Sequence, residues 1–127
     1  MKLTDDIRVS IKFMYIHIED ENLNLADIAK SAGHSVEYFS RKFKNQIGMS
    51  VMYCFKIMKM FIAVDDLLNG HTVLDVAYKY GYSKDGFTKA FKNVFGVAPI
   101  YVKKNKCDIR KQTEGKRWER ILFWILL

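Results

Sequence analysis

Two clusters of charged side chains, spaced as on the outer face of a helix, carry the chemistry that this sequence offers. The first cluster contains Glu37, Arg41 and Lys44. The second contains Lys89 and Lys92, which lie 48 positions after Arg41 and Lys44, respectively. A guanidinium can donate two parallel hydrogen bonds to O6 and N7 of guanine, a glutamate can accept one from N4 of cytosine, and lysines suit phosphates. Such side chains suit a polyanionic partner, and an ordinary solvated surface is the alternative.

Patterns typical of catalysis or metal binding are not visible. His17, His34 and His71 are scattered, with no cysteine or carboxylate at metal-ligand spacing. There is no glycine-rich phosphate loop, nucleophile elbow or Ser/His/Asp pattern. Cys54 and Cys107 are 53 positions apart, and Cys54 is predicted to be a packing residue, with a thiol sensor as the alternative. We therefore expect no enzyme activity, no catalytic residue, no cofactor and no metal.

Both clusters lie in an internal repeat. Residues 25–50 align without a gap over residues 73–98, at an offset of 48. The identical pairs are Asp27/Asp75, Ala29/Ala77, Gly33/Gly81, Ser35/Ser83, Phe39/Phe87, Phe43/Phe91, Lys44/Lys92, Asn45/Asn93 and Gly48/Gly96. In each copy, apolar residues at three- and four-residue spacing precede a glycine, which predicts a helix, a tight turn and a second helix.

The same capping residues bound the second helix of each copy. Ser35 and Ser83 are good N-cap residues, and Gly48 and Gly96 suit the C-terminal end. Thr72 and the aspartate three positions later resemble a capping pair for the first helix of the second copy. The residues predicted to form the buried faces are Phe39, Phe43, Ile47, Phe87, Phe91 and Phe95.

Three further helices are predicted around the repeat. An apolar stripe predicts an amphipathic helix over residues 5 to about 20. A long apolar stretch without glycine or proline predicts one helix from residue 50 to about residue 69. About 20 residues of helix span about 30 Å, close to the roughly 34–36 Å between successive major grooves on one face of a duplex. Pro99 is placed to begin a short helix that ends near Lys104.

Composition agrees with a small helical protein. The chain has 127 residues, of which 50% are apolar, with one proline and seven glycines, and it lacks the alternating pattern of strands. The net charge of +7 favours a polyanionic partner. The longest strongly apolar run, Ile121–Leu127, has seven residues, far fewer than the roughly 20 of a membrane-spanning helix. With no secretory signal and two distant cysteines, we expect a cytoplasmic protein.

The segments ADIAKSAGHSVEYFSRKFKNQIG and DVAYKYGYSKDGFTKAFKNVFGVAP, with a long helix between them, resemble the DNA-binding domain of the AraC/XylS family of bacterial transcription regulators. The resemblance covers about residues 5–104. It implies an all-α fold of about seven helices, with two helix-turn-helix subdomains joined by a long central helix, plus a C-terminal extension. It also implies a sequence-specific regulator that reads two successive major grooves of promoter DNA, associates with the nucleoid and recruits RNA polymerase. Gly86, inside the second reading helix, departs from the family's usual pattern.

The resemblance also implies which side chains face the DNA. By position they are Val36, Glu37, Ser40, Arg41 and Lys44 in the first copy, and Lys84, Asp85, Thr88, Lys89 and Lys92 in the second. Arg41 is the predicted base reader, and the lysine-rich second helix is predicted to anchor on phosphates. The basic run 103–111 is a further candidate for phosphate contacts. For each of these residues the alternative is an ordinary solvated surface.

Four segments are predicted along the chain. Residues 1–49 form the N-terminal helix and first helix-turn-helix, 50–70 the linker helix, 71–104 the second helix-turn-helix with its closing helix, and 105–127 a basic and then apolar extension. Residues 116–127 are expected to pack on the domain or to mediate self-association, and a membrane-surface anchor or a disordered tail is the alternative. The alternative function is a helical protein-interaction adaptor that uses this tail and binds DNA weakly and non-specifically. A stand-alone regulator and a domain of a longer sensor remain equally open.

Overall fold

A computed structural model describes residues 3–113, which form seven α-helices and one 3-10 helix and contain no strand. In chain order the helices are α1 Asp5–Ile16, α2 Leu25–Ser31, α3 Val36–Ile47, α4 Val51–Leu68, α5 Val73–Lys79, α6 Lys84–Phe95 and α7 Pro99–Asn105, and the 3-10 helix is Ile109–Thr113. The predicted all-α fold with two helix-turn-helix elements is confirmed. The predicted apolar tail lies outside the described residues.

Among residues 3–113, no single helix is long and apolar enough to cross a membrane. Helices α3 and α4 reach that length and composition when taken together, and they are bent by 56° at the break between them.

Packing divides the described chain into two compact units, and the boundary falls inside α4. The first unit extends to Met58 and the second begins at Lys59. The first therefore holds α1, α2, α3 and the beginning of α4, and the second holds the rest of α4, α5, α6, α7 and the 3-10 helix. The four-segment division remains a prediction.

Helix α1 is shorter than predicted, because it ends at Ile16 and not near Asp20. Its predicted stripe is nevertheless buried, and Ile18 reaches the core from the turns after the helix. These turns also bury Leu23. Three acidic residues at positions 19–21 would lie at the negative end of a longer helix, where the helix dipole disfavours them. The apolar periodicity alone does not contain this information.

The two helix-turn-helix elements use the same turn. In the first, Gly33 has φ +76°, its N–H donates to the carbonyl of Lys30 at 2.9 Å, and the N–H of His34 donates to that of Ala29 at 3.1 Å. The second repeats both bonds, at 3.1 and 2.9 Å, around Gly81. This Schellman geometry requires a left-handed residue, which glycine adopts without steric cost. The left-handed backbone at these two turns therefore explains why the repeat has glycine at both positions.

The predicted serine caps are confirmed. Ser35 Oγ accepts from the N–H of Tyr38, and Ser83 Oγ accepts from that of Gly86. The Thr72 side chain caps α5 through the N–H of the third residue of that helix. The sequence analysis missed Asn24, which forms a reciprocal capping box at the start of α2. These caps fix where each helix of both elements begins.

Phenylalanines fix the rotation of both second helices about their axes. In α3 the rings of Phe39 and Phe43 lie 5.6 Å apart, and both are fully buried. In α6 the rings of Phe91 and Phe95 lie 4.7 Å apart, and Phe95 meets Phe61 of α4 edge-on at 5.1 Å. Replacing such a ring by alanine typically costs about 3–5 kcal/mol. The opposite faces of α3 and α6 are thereby turned outward.

Candidate nucleic-acid interface

The outer face of α3 presents part of the predicted set. Glu37, Arg41 and Lys44 are exposed. Val36 and Ser40 are half-buried, because at 100° per residue they lie close to the inner face. The structure therefore brings one acidic and two basic side chains together on one exposed surface.

The outer face of α6 repeats this arrangement with more lysine. Lys84, Asp85, Lys89 and Lys92 are exposed. Thr88 is half-buried, and its hydroxyl donates to the carbonyl of Lys84 at 2.9 Å within the same helix. Lys84 holds the helical position of Val36, close to the inner face, so the outer face carries Lys89 and Lys92 against Asp85. Two cations against one anion suit a phosphate backbone.

Two side chains on the outer face of α3 are not among the predicted residues. Tyr38 is 46% exposed, and Asn45 is also exposed. Tyr38 precedes Arg41 by three residues and Asn45 follows it by four, so all three are neighbours on the helix surface. The helical spacing from Arg41 could have identified both, but an aromatic residue beside Phe39 was easily counted with the core.

A network behind α3 draws Lys42 away from the outward surface. Oδ2 of Asp6 in α1 lies 2.6 Å from Nζ of Lys42 and 2.7 Å from Nε2 of His34. The Thr4 hydroxyl and the N–H of Ile7 donate to its Oδ1. Burial by itself raises the pKa of Asp6, but the hydrogen bonds from Lys42, Thr4 and His34 outweigh it and hold that pKa well below its usual range.

This network positions the helix-turn-helix of the first unit. Asp6 remains ionised at neutral pH, so it keeps both His34, in the turn before α3, and Lys42, on α3, against α1. The hydrogen bond with Asp6 in turn raises the pKa of Lys42. Helix α1 therefore fixes the orientation of α3 through charge as well as through its apolar stripe.

The second unit holds its turn with different residues. Oδ2 of Asp66 in α4 accepts a hydrogen bond of 2.6 Å from the hydroxyl of Tyr80, and Oδ1 lies 3.1 Å from Nζ of Lys79. Nζ of Lys59 lies 5.4 Å from the ring centre of Tyr82, whose pKa is raised by burial. An aspartate on the preceding helix thus positions the turn in both units, although its partners differ.

Two cations of the basic run 103–111 have structural roles. The guanidinium of Arg110 bonds Asp108 through Nε at 2.8 Å and Asp65 through Nη2 at 2.7 Å. Its Nη1 also donates to the carbonyl of Phe61 at 3.2 Å, which ties the 3-10 helix to α4. Nζ of Lys103 donates to the carbonyl of His71 at 2.7 Å. Lys104, Lys106 and Lys111 of the same run are exposed, as are the outer cations of α3 and α6.

The described residues contain no group of three or more histidines, cysteines and acids that could hold a metal ion. Cys54 is fully buried, and burial raises the pKa of its thiol. This environment suits a packing cysteine and keeps the reactive thiolate form scarce.

Comparison with known protein families gives one clear match. A family model described as a helix-turn-helix domain matches residues 28–105, which is more than half of the chain. This segment contains α3, α6 and the long helix α4 between them. No curated protein sequence matches the chain significantly.

Three solved structures share the fold of this chain. The C-terminal domain of AraT, a response regulator from Geobacillus stearothermophilus, is 25% identical to this chain, with a TM-score of 0.76. The match covers 83% of this chain and 88% of the AraT chain. A DNA-binding transcriptional dual regulator from Escherichia coli K-12 is 20% identical, with a TM-score of 0.70, over 83% of this chain and 96% of its own. The DNA-binding domain of the global transcriptional factor AdpA, in complex with a target DNA, is 19% identical to this chain, with a TM-score of 0.69. The match covers 88% of this chain and 100% of the AdpA chain. The chain belongs to the AraC-type helix-turn-helix family of DNA-binding transcription regulators, a non-enzymatic family.

Proposed function

We propose that this protein reads two successive major grooves of a double-stranded promoter site, with α3 in one groove and α6 in the other. The observation that carries the proposal is the equivalence of the two units. Each has a helix of seven residues, the same Schellman turn and a second helix of 12 residues with exposed cations on its outer face. A helix of about 10–12 Å diameter fits a major groove about 12 Å wide.

We assign different roles to the two outer faces. Arg41 reads a guanine through its guanidinium, and Glu37 accepts from a neighbouring cytosine. Lys44, Lys89 and Lys92 contact phosphates, so they supply affinity with little sequence preference. The remaining residues of the proposed interface are Val36, Ser40, Lys84, Asp85 and Thr88.

We propose two partners besides DNA, and a location. AraC-type regulators act at promoters, which makes RNA polymerase the first of these partners. The second is another copy of this chain, bound through residues 116–127, which lie outside the described part. A reducing cytoplasm, beside the nucleoid, suits two cysteines that are not in a disulfide. The AdpA domain bound to its target DNA supports duplex DNA as the main ligand.

A random-duplex selection tests the two-groove proposal. The purified full chain is incubated with random duplexes at near-physiological salt, and the recovered site is titrated against a scrambled version. We expect an asymmetric motif in two blocks about one helical turn apart. A single block refutes the role of α6, and weak salt-sensitive binding to every duplex refutes both readers and favours the adaptor alternative.

Charge-removing variants then separate reading from anchoring. Arg41→Ala should relax the preference at one base position, with a loss of discrimination of about 1–3 kcal/mol. Lys92→Ala should weaken binding to all duplexes similarly and reduce the salt slope by about one unit. Lys12→Ala is the matched control, because Lys12 is an exposed cation on α1. If all three variants behave alike, the assignment of α3 and α6 is refuted.

A further inference from the structure

We propose that the hydroxyl of Tyr38 is a DNA phosphate contact of the first reading helix that the second helix lacks. The two units would then hold the duplex unequally despite their common backbone. This inference rests on the proposed function, in which α3 lies in a major groove.

Tyr38 lies on the outward surface of α3. Tyr38 as a whole residue is 46% exposed, while the next residue, Phe39, is fully buried. Tyr38 precedes Arg41 by three positions, a spacing that places Cβ atoms about 5–6 Å apart on a helix surface. A helix that presents Arg41 to DNA therefore also brings Tyr38 close to the duplex.

The helix geometry favours a phosphate over a base as the partner. At 100° per residue, Tyr38 and Lys42 lie on one side of Arg41, and Glu37 and Lys44 lie on the other. If Arg41 points to the base edges, the flanks of the helix face the phosphate strands that border the groove. A phenol can donate one hydrogen bond, and an anionic phosphate oxygen is a strong acceptor for it.

The ring is held in place before any ligand arrives. The centre of the Tyr38 ring lies 4.6 Å from the centre of the His34 ring and 5.8 Å from Nζ of Lys42. Both neighbours are bound to the same carboxylate of Asp6. A side chain that is already ordered loses little conformational entropy on binding, so its hydrogen bond contributes more fully to affinity.

The second unit replaces every part of this arrangement. At the repeat offset of 48, Gly86 stands in place of Tyr38, Tyr82 in place of His34, and Ala90 in place of Lys42. A Cβ at Gly86 would lie 3.7 Å from Cδ1 of Tyr82, and the Tyr82 ring packs on Phe87 with a centroid distance of 6.2 Å. The tyrosine of the second unit therefore belongs to its turn and packs inward.

Tyr38→Phe tests the hydroxyl while it keeps the ring. For the full chain, we expect the Kd for the duplex recovered by selection to rise about tenfold or more, the range for one hydrogen bond to a charged group. The Kd for the scrambled duplex should rise by the same factor, and the salt slope should not change, because no cation is lost. Tyr15→Phe is the matched control, since Tyr15 is also 46% exposed but lies on α1. Thermal melting checks that both variants fold.

Each outcome decides the proposal. A Tyr38→Phe variant that binds like Tyr15→Phe, while the parent protein selects its duplex, overturns the contact but leaves the proposed function intact. A change in the preferred sequence with little change for the scrambled duplex overturns the phosphate assignment in favour of a base contact. If the parent protein selects no duplex, the proposed function fails first. The proposal is supported if Tyr38→Phe weakens binding to both duplexes by the same factor and Tyr82→Phe does not.

Discussion

Arg110 anchors the end of the second unit, and its replacement by methionine should destabilise that unit. Arg110→Met keeps an apolar side chain of similar length but removes the guanidinium. The loss includes two parallel hydrogen bonds to Asp108, of 2.8 and 2.9 Å, and one of 2.7 Å to Asp65. It also leaves the carbonyl of Phe61 without the 3.2 Å bond from Nη1.

The magnitude follows from the exposure of each partner. Side chains of Arg110 and Asp108 are 23% and 24% exposed, so their bidentate pair falls within the range of about 1.5–3 kcal/mol for hydrogen bonds to charged groups. The Asp65 side chain is 60% exposed, and a pair of that kind contributes only about 0.2–1 kcal/mol. We expect a total of about 2 kcal/mol, near the lower end because water partly screens both pairs. For a unit of this size, that lowers Tm by roughly 8–16 °C.

Calorimetry of Arg110→Met and Lys111→Met at pH 7 is the assay. Lys111 is the matched control, because it is the next residue, carries the same charge and is exposed. The hydrogen bond from Arg110 lowers the pKa of Asp108. The stabilisation is therefore complete above the unfolded pKa and fades as pH falls below about 4. Equal Tm values for the two variants at pH 7 would refute the anchoring role.

Three further perturbations follow from the same structure. In the parent protein, Tm should fall as pH drops below about 5, because Asp6 has a lowered pKa in the folded chain and takes up a proton more readily in the unfolded chain. Asp6→Asn should make this fall of Tm with pH less steep, and parallel Tm–pH curves for the variant and parent would contradict the prediction. Gly33→Ala should cost about 1–2 kcal/mol in urea denaturation, because alanine must adopt φ +76° although no atom obstructs its Cβ; an unchanged midpoint would show that the turn tolerates a Cβ. In thiol titration, half-exposed Cys107 should react well before Cys54, which is buried with a raised pKa; two equally fast phases would argue against the packing role of Cys54.

The sequence predicted most of the local structure of both units. The repeat, the glycines at the turns and the serines at the caps act through bonds between residues at most five positions apart. Gly33 therefore forms the predicted turn, and Ser35 forms the predicted cap of α3. The inner faces of α3 and α6 were also predictable, because a four-residue spacing of phenylalanines places them on one side of a helix.

Local patterns failed where two rules competed. The apolar stripe of α1 continues to Ile18 and favoured a longer helix, but the acidic residues at 19–21 oppose a helix there, and burial of Leu23 needs a turn. The stripe and the charges are both visible in the sequence. Which of them prevails depends on what the next segment packs against.

The sequence by itself determined that the chain is helical, where the turns at Gly33 and Gly81 lie, and which sides of α3 and α6 are buried. Only the tertiary structure decided which polar groups remain available to a ligand. Lys42 pairs with Asp6, 36 residues away, and Arg110 pairs with Asp65, 45 residues away, whereas Arg41 and Lys92 stay exposed. Helical periodicity relates a side chain to residues within one or two turns, so it carries no information on partners that packing brings together from distant parts of the chain.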